Sequence, residues 1–253
     1  MAIREYLETH QAFSAVEFRH AFPDSVTDRN LLARAVRSGG VDRVRNGVYV
    51  SKSGPFSRSQ ADPLDVARAA AQDATFCLLS ALRLHGVLHN VVTVTQFYTS
   101  HKITPFEYAG QHYQPRRLPA RDVDTCNLFT TSGRSYPVTT REQTLLDCLA
   151  RPGLAGGPDN LLRSLSGFAY LDIASFLARP ISGNTSAKLG WLLENKREEW
   201  RVDDTTLATL KRNIGAGPYY FWSSRPPKDR YWVNRWRLYL PHPEQEMITW
   251  LNQ

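Results

Sequence analysis

An α+β fold is predicted by three observations. The first fifty residues read as three short amphipathic helices followed by a basic hairpin, and β-branched and aromatic runs then alternate with helical runs from about residue 63. The last third joins a helical stretch to a dense, β-rich set of aromatic residues. With 253 residues, two or three domains are expected. A hydrophobic content of 42% and a charged content of 22% are ordinary for a chain that buries a sizeable core. No run approaches about 18 apolar residues, so no membrane-spanning helix and no membrane partner are expected. The start, Met1-Ala2-Ile3-Arg4-Glu5-Tyr6, lacks the apolar segment of a secretory leader. Cys77, Cys126 and Cys148 are odd in number and far apart, which predicts reduced thiols and a cytoplasmic location.

Ile3, Tyr6 and Leu7 have i, i+3, i+4 spacing and give the first helix its apolar stripe. Ser14-Ala15-Val16-Glu17 is a capping box that starts the second helix, with Phe13 placed to staple onto Phe18. A third helix is predicted from Thr27 to Ser38, ending at Gly39-Gly40, where a glycine can take the left-handed conformation. Leu31, Leu32, Ala35 and Val36 form its buried face. Thr27, Asn30, Arg34 and Arg37 line up opposite, with Arg29 beside them. Val41 to Val50 then reads as a hairpin, because Asn46-Gly47 between two apolar runs signals a type I′ turn with positive φ at both residues. Under period-two alternation Arg43 and Arg45 share one face of its first strand.

Helix, helix, helix and basic hairpin together describe a winged helix-turn-helix whose third helix is the candidate reader of a DNA major groove. Between Thr27 and Arg58 there are seven basic and two acidic residues, a local balance of +5. That is most of the chain's +7 in little more than a tenth of its length, as a footprint for phosphates requires. Duplex DNA is therefore the expected partner. Thr27, Arg29, Asn30, Arg34 and Arg37 are placed in or beside the major groove, with Arg43, Arg45 and Tyr49 near phosphates or a minor groove. Asn46 and Gly47 shape the tip and let its backbone approach the DNA. The rival reading is a solvated helix face and a surface hairpin, or a winged-helix module that binds protein.

A polar, Gly/Pro-containing linker is expected from Ser51 to Asp62, and Asp62-Pro63 then starts a helix with Asp as N-cap and Pro at its first position. Thr75 to Leu84 reads as a buried helix closed near Gly86. Val91 to Tyr98, Phe106 to Gln114 and Cys126 to Thr131 read as strands, and Thr140 to Leu149 as a helix with Thr-x-x-Gln start chemistry. A punctuated stretch from Arg179 to Asn184 introduces a last segment. The expected organisation is a winged helix over 1–55, a mixed α+β domain over 63–180, and a C-terminal segment over 185–253 that could continue the middle domain.

Several motifs together resemble a known family. These are Arg45-Asn46-Gly47-Val48-Tyr49 closing a winged helix, Leu79 to Gly86 (Leu-Ser-Ala-Leu-Arg-Leu-His-Gly), and Val138 to Asp147 (Val-Thr-Thr-Arg-Glu-Gln-Thr-Leu-Leu-Asp). With Leu189-Gly190-Trp191-Leu192-Leu193-Glu194 and Asn234-Arg235-Trp236-Arg237-Leu238, the chain resembles the AbiEi-type antitoxins of type IV toxin–antitoxin systems. The resemblance covers most of the chain and implies a bifunctional bacterial regulator. Its winged helix would repress its own operon by binding promoter repeats, and the C-terminal segment would neutralise a cognate nucleotidyltransferase toxin. Within the family, neutralisation need not require a stable complex. The chain is read as a monomer in solution that is no enzyme.

Enzyme chemistry is weakly signalled. Glu194-Asn195-Lys196 satisfies the E-x-K pattern that metal-dependent nucleases place on a strand, which makes a nuclease with a winged-helix targeting domain the alternative function. The motif follows a helical run and adjoins Arg197-Glu198-Glu199, so a charged helix end is the simpler reading. His85 and His89 are four apart, but Gly86 between them ends the helix and no third ligand is evident. Gly153 to Gly157 carries no Lys-Ser/Thr after it, which excludes a phosphate loop. No metal, cofactor or catalytic residue is expected. The C-terminal aromatics from Tyr219 to Trp222, Tyr231, Trp232 and Trp236 are interleaved with Arg225, Lys228, Arg230, Arg235 and Arg237. Such interleaving can stack bases of RNA, or it can be an inward-packed core edged by arginines, and the core is preferred. The RNA version, or a toxin-related surface, gains interest because the toxins of the resembled family are nucleotidyltransferases.

Overall fold

The structure, a computed structural model, describes residues 2–23, 26–119, 122–130, 133–222 and 228–253, with the backbone alone described at 26–29. It is a mixed α+β protein. Its residues group into two compact units: one holds 1–75 and 93–119, the other 76–92 and 120–253. Both units are therefore discontinuous in sequence, whereas three consecutive segments were expected.

The chain opens with α1 (Ile3–Thr9), β1 (Ala12–Ser14), α2 (Ala15–Ala21), α3 (Val26–Arg37), β2 (Val41–Arg45) and β3 (Val48–Ser51). The strands form one antiparallel sheet in the order β1-β3-β2. The capping box forms as the sequence predicts: the Glu17 N–H donates to Ser14 Oγ at 3.0 Å, and the Ser14 N–H donates to Glu17 Oε2 at 2.6 Å. Tyr6, Leu7, Phe13, Phe18, Leu32 and Val41 make the core of this region. Tyr6 meets Phe13 and Phe18 edge-on at 5.4 and 5.5 Å, and Phe13 stacks on Phe18 at 5.9 Å. Such pairs contribute about 0.5–1.5 kcal/mol each beyond area burial. Burial pushes the Tyr6 hydroxyl up to about 12, with Glu17 adding to it.

The turn of the β2-β3 hairpin differs from expectation. Gly47 has φ 79°, but Asn46 is not among the described non-glycine residues with positive φ, so the turn is not type I′. The pairing also shifts register between Arg43 and Arg45, because Arg43 opposes Tyr49 while Arg45 opposes Val48. A type I′ pattern of positive φ at both turn residues occurs instead at Ala109 (51°) and Gly110 (76°). Those two residues divide the single strand expected from Phe106 to Gln114 into two.

After a 3₁₀ turn at Gly54–Phe56 comes α4 (Pro63–Ala70), capped by Asp62, whose side chain accepts from the Leu64 N–H at 2.9 Å. Thr75 to Leu84, expected as one helix, splits into β4 (Thr75–Phe76) and α5 (Leu78–Leu84). The break falls at Cys77, whose extended backbone (φ −141°, ψ 171°) precedes α5, and Leu78 enters the helix with φ 50°. In the first unit the chain continues as β5 (Val94–Thr99), β6 (Phe106–Tyr108) and β7 (Gln111–Arg117). β5 runs parallel to β7, and β6 is antiparallel to β7. Val91, expected at the start of β5, is fully exposed and outside it.

The second unit pairs Phe76 of β4 with β9 (Ser135–Thr139), which is antiparallel to β8 (Thr125–Phe129). Helices α6 (Arg141–Ala150), α7 (Gly157–Ser166), α8 (Ile173–Leu177), α9 (Gly183–Asn195) and α10 (Asp204–Asn213) follow. A second small sheet, in the order β10-β12-β11, is built from β10 (Tyr219–Tyr220), β11 (Tyr231–Val233) and β12 (Leu238–Leu240), before α11 (Glu244–Leu251). Leu145, Leu149, Leu161, Leu165, Leu189, Trp191 and Leu193 are wholly buried. Lys188 is buried among them and donates through Nζ to the Leu149 carbonyl at 2.9 Å, near the carboxyl end of α6. A cation there faces the negative end of the helix dipole.

Burial pulls the Lys188 ammonium down to about 8 from 10.5. Between those values the unfolded chain holds a proton that the folded chain has released, so stability rises with pH across the window. The expected rise is on the order of 1.4 kcal/mol per pH unit. Urea midpoints measured from pH 8 to 10.5 should show it in the wild-type chain and lack it in Lys188→Met.

Candidate nucleic-acid interface

The candidate surface is built on α3. Leu32 is buried and Ala35 and Val36 are half-buried against the core, which turns Asn30, Arg34 and Arg37 outward, all three exposed. At i, i+4 and i+7 these three follow one stripe of the helix. The side chains of Thr27 and Arg29 lie outside the described residues. Gly39, with φ 76°, closes the helix: its N–H donates to the Val36 carbonyl and that of Gly40 to the Ala35 carbonyl. Arg37 is steadied by its own helix, Nε donating to the Ala33 carbonyl at 3.3 Å.

Across from α3 stands the hairpin. Arg43 is exposed and donates from Nη2 to Asn46 Oδ1 at 2.9 Å, so Asn46 holds a guanidinium as well as making the turn. Gly47 is tied back to the start of α2, because its carbonyl accepts from the Ala15 N–H at 2.8 Å. Tyr49 stacks on Phe13 at 5.8 Å and is half-buried. Between α2, α3 and the hairpin lies a cleft of about 640 Å³. Its floor is apolar, from Ala15, Phe18, Leu32, Val36 and Tyr49, and Arg19, Arg37 and Arg43 line it as well. Arg19 is a cation of this surface that the sequence pattern did not single out, because it belongs to a different helix.

Other cations of the expected footprint are engaged inside the first unit. Arg45 lies 5.0 Å over the Phe106 ring and donates to the Thr104 carbonyl at 3.0 Å. The register shift beside it separates its course from that of Arg43. Lys52 pairs with Asp42 at 2.8 Å, and Asp42 also accepts from the Tyr108 hydroxyl at 2.9 Å. Burial, reinforced by Asp42, pushes that hydroxyl well above its ordinary range.

A further basic cleft, of about 550 Å³, lies at the carboxyl ends of the parallel strands β5 and β7 and is lined by His101, Lys102, Arg116 and Arg117. The pairing of Tyr98 with Arg116 and Thr99 with Arg117 brings these residues together. They are too far apart in sequence for any spacing rule to join them. Such a cluster can hold an anion.

In the second unit, Arg235 bridges Glu194 and Glu244. Arg237 donates to the Gly215 carbonyl at 2.8 Å. Lys228 and Arg230 are exposed, and Arg225 lies outside the described residues. The E-x-K motif sits at a helix end and not on a strand. Glu194, on α9, accepts from Trp236 Nε1 at 2.8 Å, and Lys196 pairs with Glu199. His85 caps α5 and donates from Nε2 to the Thr139 carbonyl at 2.8 Å, and burial lowers its proton affinity. Among the described residues no group of three His, Cys, Asp or Glu side chains could hold a metal ion. None of the three cysteines is in a disulfide, and Cys77 and Cys148 are fully buried. No helix among the described residues is long and apolar enough to cross a membrane.

These features define a two-unit α+β protein with a basic helix and hairpin surface in its first unit. In fold the chain is similar to the RV2827C protein from Mycobacterium tuberculosis, a solved structure with a TM-score of 0.55. The two share 12% identity, and the likeness spans 98% of this chain and 92% of that one. No family model matches the chain, and no curated protein matches it.

Proposed function

We propose that residues 1–55 are a winged helix that binds duplex DNA and that the chain is a promoter-binding autorepressor. The observation that carries this reading is the exposed row of Asn30, Arg34 and Arg37 on α3, whose last member, Arg37, lines one cleft with Arg43 of the hairpin. In this reading α3 enters the major groove. Arg34 and Arg37 can each present two parallel donors to guanine O6 and N7, and Asn30 can pair with adenine N6 and N7. Arg19 and Arg43 approach phosphates on either side, and Gly47 lets the hairpin tip close on the backbone. Arg45 contributes less than Arg43, because it is half-buried and held over Phe106 and by the Thr104 carbonyl, whereas Arg43 is exposed and bonded within the hairpin, to Asn46. Arg43→Ala should therefore weaken binding more than Arg45→Ala, as measured by fluorescence anisotropy on one labelled duplex.

The resemblance to AbiEi-type antitoxins supports a second role, protection against a nucleotidyltransferase toxin encoded beside this gene. The neutralising residues would lie in 185–253. Two measurements test the proposal. A duplex taken from upstream of the gene should bind at least about a thousandfold more tightly than a scrambled duplex of equal length. Co-expression with the neighbouring reading frame should restore growth that the neighbour alone arrests. Equal affinity for both duplexes would remove the repressor reading, and no rescue of an arrested cell would remove the antitoxin reading.

A further inference from the structure

The small sheet β10-β12-β11 divides the C-terminal aromatics into two sets. Phe221, Val233, Trp236, Leu238 and Leu240 are buried beneath it. On its other face Tyr220 opposes Tyr239, and Tyr239 opposes Trp232, so three rings stand in one cross-strand row. The row is continuous, with ring centroids 5.7 Å apart for Tyr220 and Tyr239 and 4.8 Å for Trp232 and Tyr239. Trp222, two residues on from Tyr220, extends it at 5.1 Å. Trp232 is 46% exposed and Tyr220 37%. Burial would be the ordinary fate of rings this large, and side-by-side exposure of several marks a binding face.

The charge around the row points to the occupant. The stretch that leads into β11 carries two exposed cations, Lys228 and Arg230, with Asp229 between them. Arg230 stands two positions before Trp232, immediately before β11 begins. A phosphate chain whose bases present π-faces matches rings edged by cations, whereas a purely apolar partner would leave those cations without counter-charge. A row three strands wide is about 10 Å across, enough for two or three splayed bases. We propose that this face binds single-stranded nucleic acid by stacking bases on Trp232 and the tyrosines beside it, with Arg230 and Lys228 on the phosphates. The site is separate from the duplex-binding surface of the first unit and does not depend on it.

The test titrates the full chain with a fluorescein-labelled twelve-nucleotide oligouridine and with its deoxythymidine counterpart, reading anisotropy and tryptophan quenching. Binding should be saturable and weaken as salt rises. Trp232→Ala should weaken it about tenfold or more, Trp232→Phe much less, and Arg230→Ala should reduce the salt dependence. The Arg34→Ala/Arg37→Ala chain should bind the oligonucleotides as the wild type does, which separates this site from the duplex site. Far-ultraviolet circular dichroism confirms that each variant is folded, and Trp232→Phe with Arg230→Ala carry the test if Trp232→Ala does not fold. Absence of binding at low salt overturns the proposal. So does binding that folded Trp232 variants leave unchanged, or binding lost with Arg34 and Arg37. Conversion of a dimer to a monomer by Trp232→Ala without any oligonucleotide binding also overturns it, and assigns the face to self-association.

Discussion

Duplex DNA binding should be lost in an Arg34→Ala/Arg37→Ala chain while the fold is retained. Both side chains are exposed on α3, and Arg37 bonds to the backbone of its own helix, so their removal leaves no buried group unsatisfied. Loss of a good bidentate base contact costs about 1–3 kcal/mol, and two such losses together should lower affinity by roughly two to four powers of ten. Alanine also favours helix, so α3 itself should be no less stable. The double variant should still protect cells in the co-expression assay if repression and protection belong to separate parts of the chain. Concurrent loss of protection would mean that they do not.

A second large effect is expected at Gly190. This residue faces Trp236, whose indole is wholly buried and held through Nε1 by Glu194. A Cβ at position 190 would lie 2.1 Å from Cζ3 of the Trp236 ring, far closer than carbon atoms approach. The ring cannot swing away without breaking its hydrogen bond and the packing beneath the small sheet. Overfilling a core costs about 1–3 kcal/mol and sometimes more, and the rigidity of this pair places Gly190→Ala at or above the top of that range. Urea unfolding should show it, and Trp236→Leu introduced with Gly190→Ala should recover part of the loss, because the two sites share one space. Additive losses in the double variant would show that the ring is not what excludes the methyl group.

These two sites differ in how far the sequence revealed them. The helices of the first region were legible because their signals are local: the Ser14 to Glu17 capping box, the 3.6-residue period of α3, and glycine at its end. The exposed stripe of Asn30, Arg34 and Arg37 followed from the same period. The turn at Asn46-Gly47 was located correctly, but its type was not, since Gly47 alone of the pair takes positive φ. Ala109-Gly110 took that conformation without an Asn to announce it. Arg45 was expected beside Arg43, yet Phe106 and Thr104, some sixty residues later, take it up. Contacts at that separation have no periodic signature. The C-terminal aromatics show the same limit, since the pairing of Tyr220, Tyr239 and Trp232 across three strands decides which rings are buried. The glycine that admits Trp236 is equally silent in the sequence, because its role depends on a ring more than forty residues away.

The most direct test of the central claim is the salt dependence of binding between the full chain and a duplex from upstream of its gene. The logarithm of affinity should fall linearly with the logarithm of salt concentration, with a slope of about −0.9 per phosphate contact. Removing Arg43 should make the slope shallower by about one unit, since it is assigned to a phosphate. Arg34→Ala and Arg37→Ala should lower affinity most for the cognate sequence, since they are assigned to bases. Affinity that does not change with salt, or a slope identical in the wild-type and Arg43→Ala chains, would contradict the assignment of this helix and hairpin to DNA.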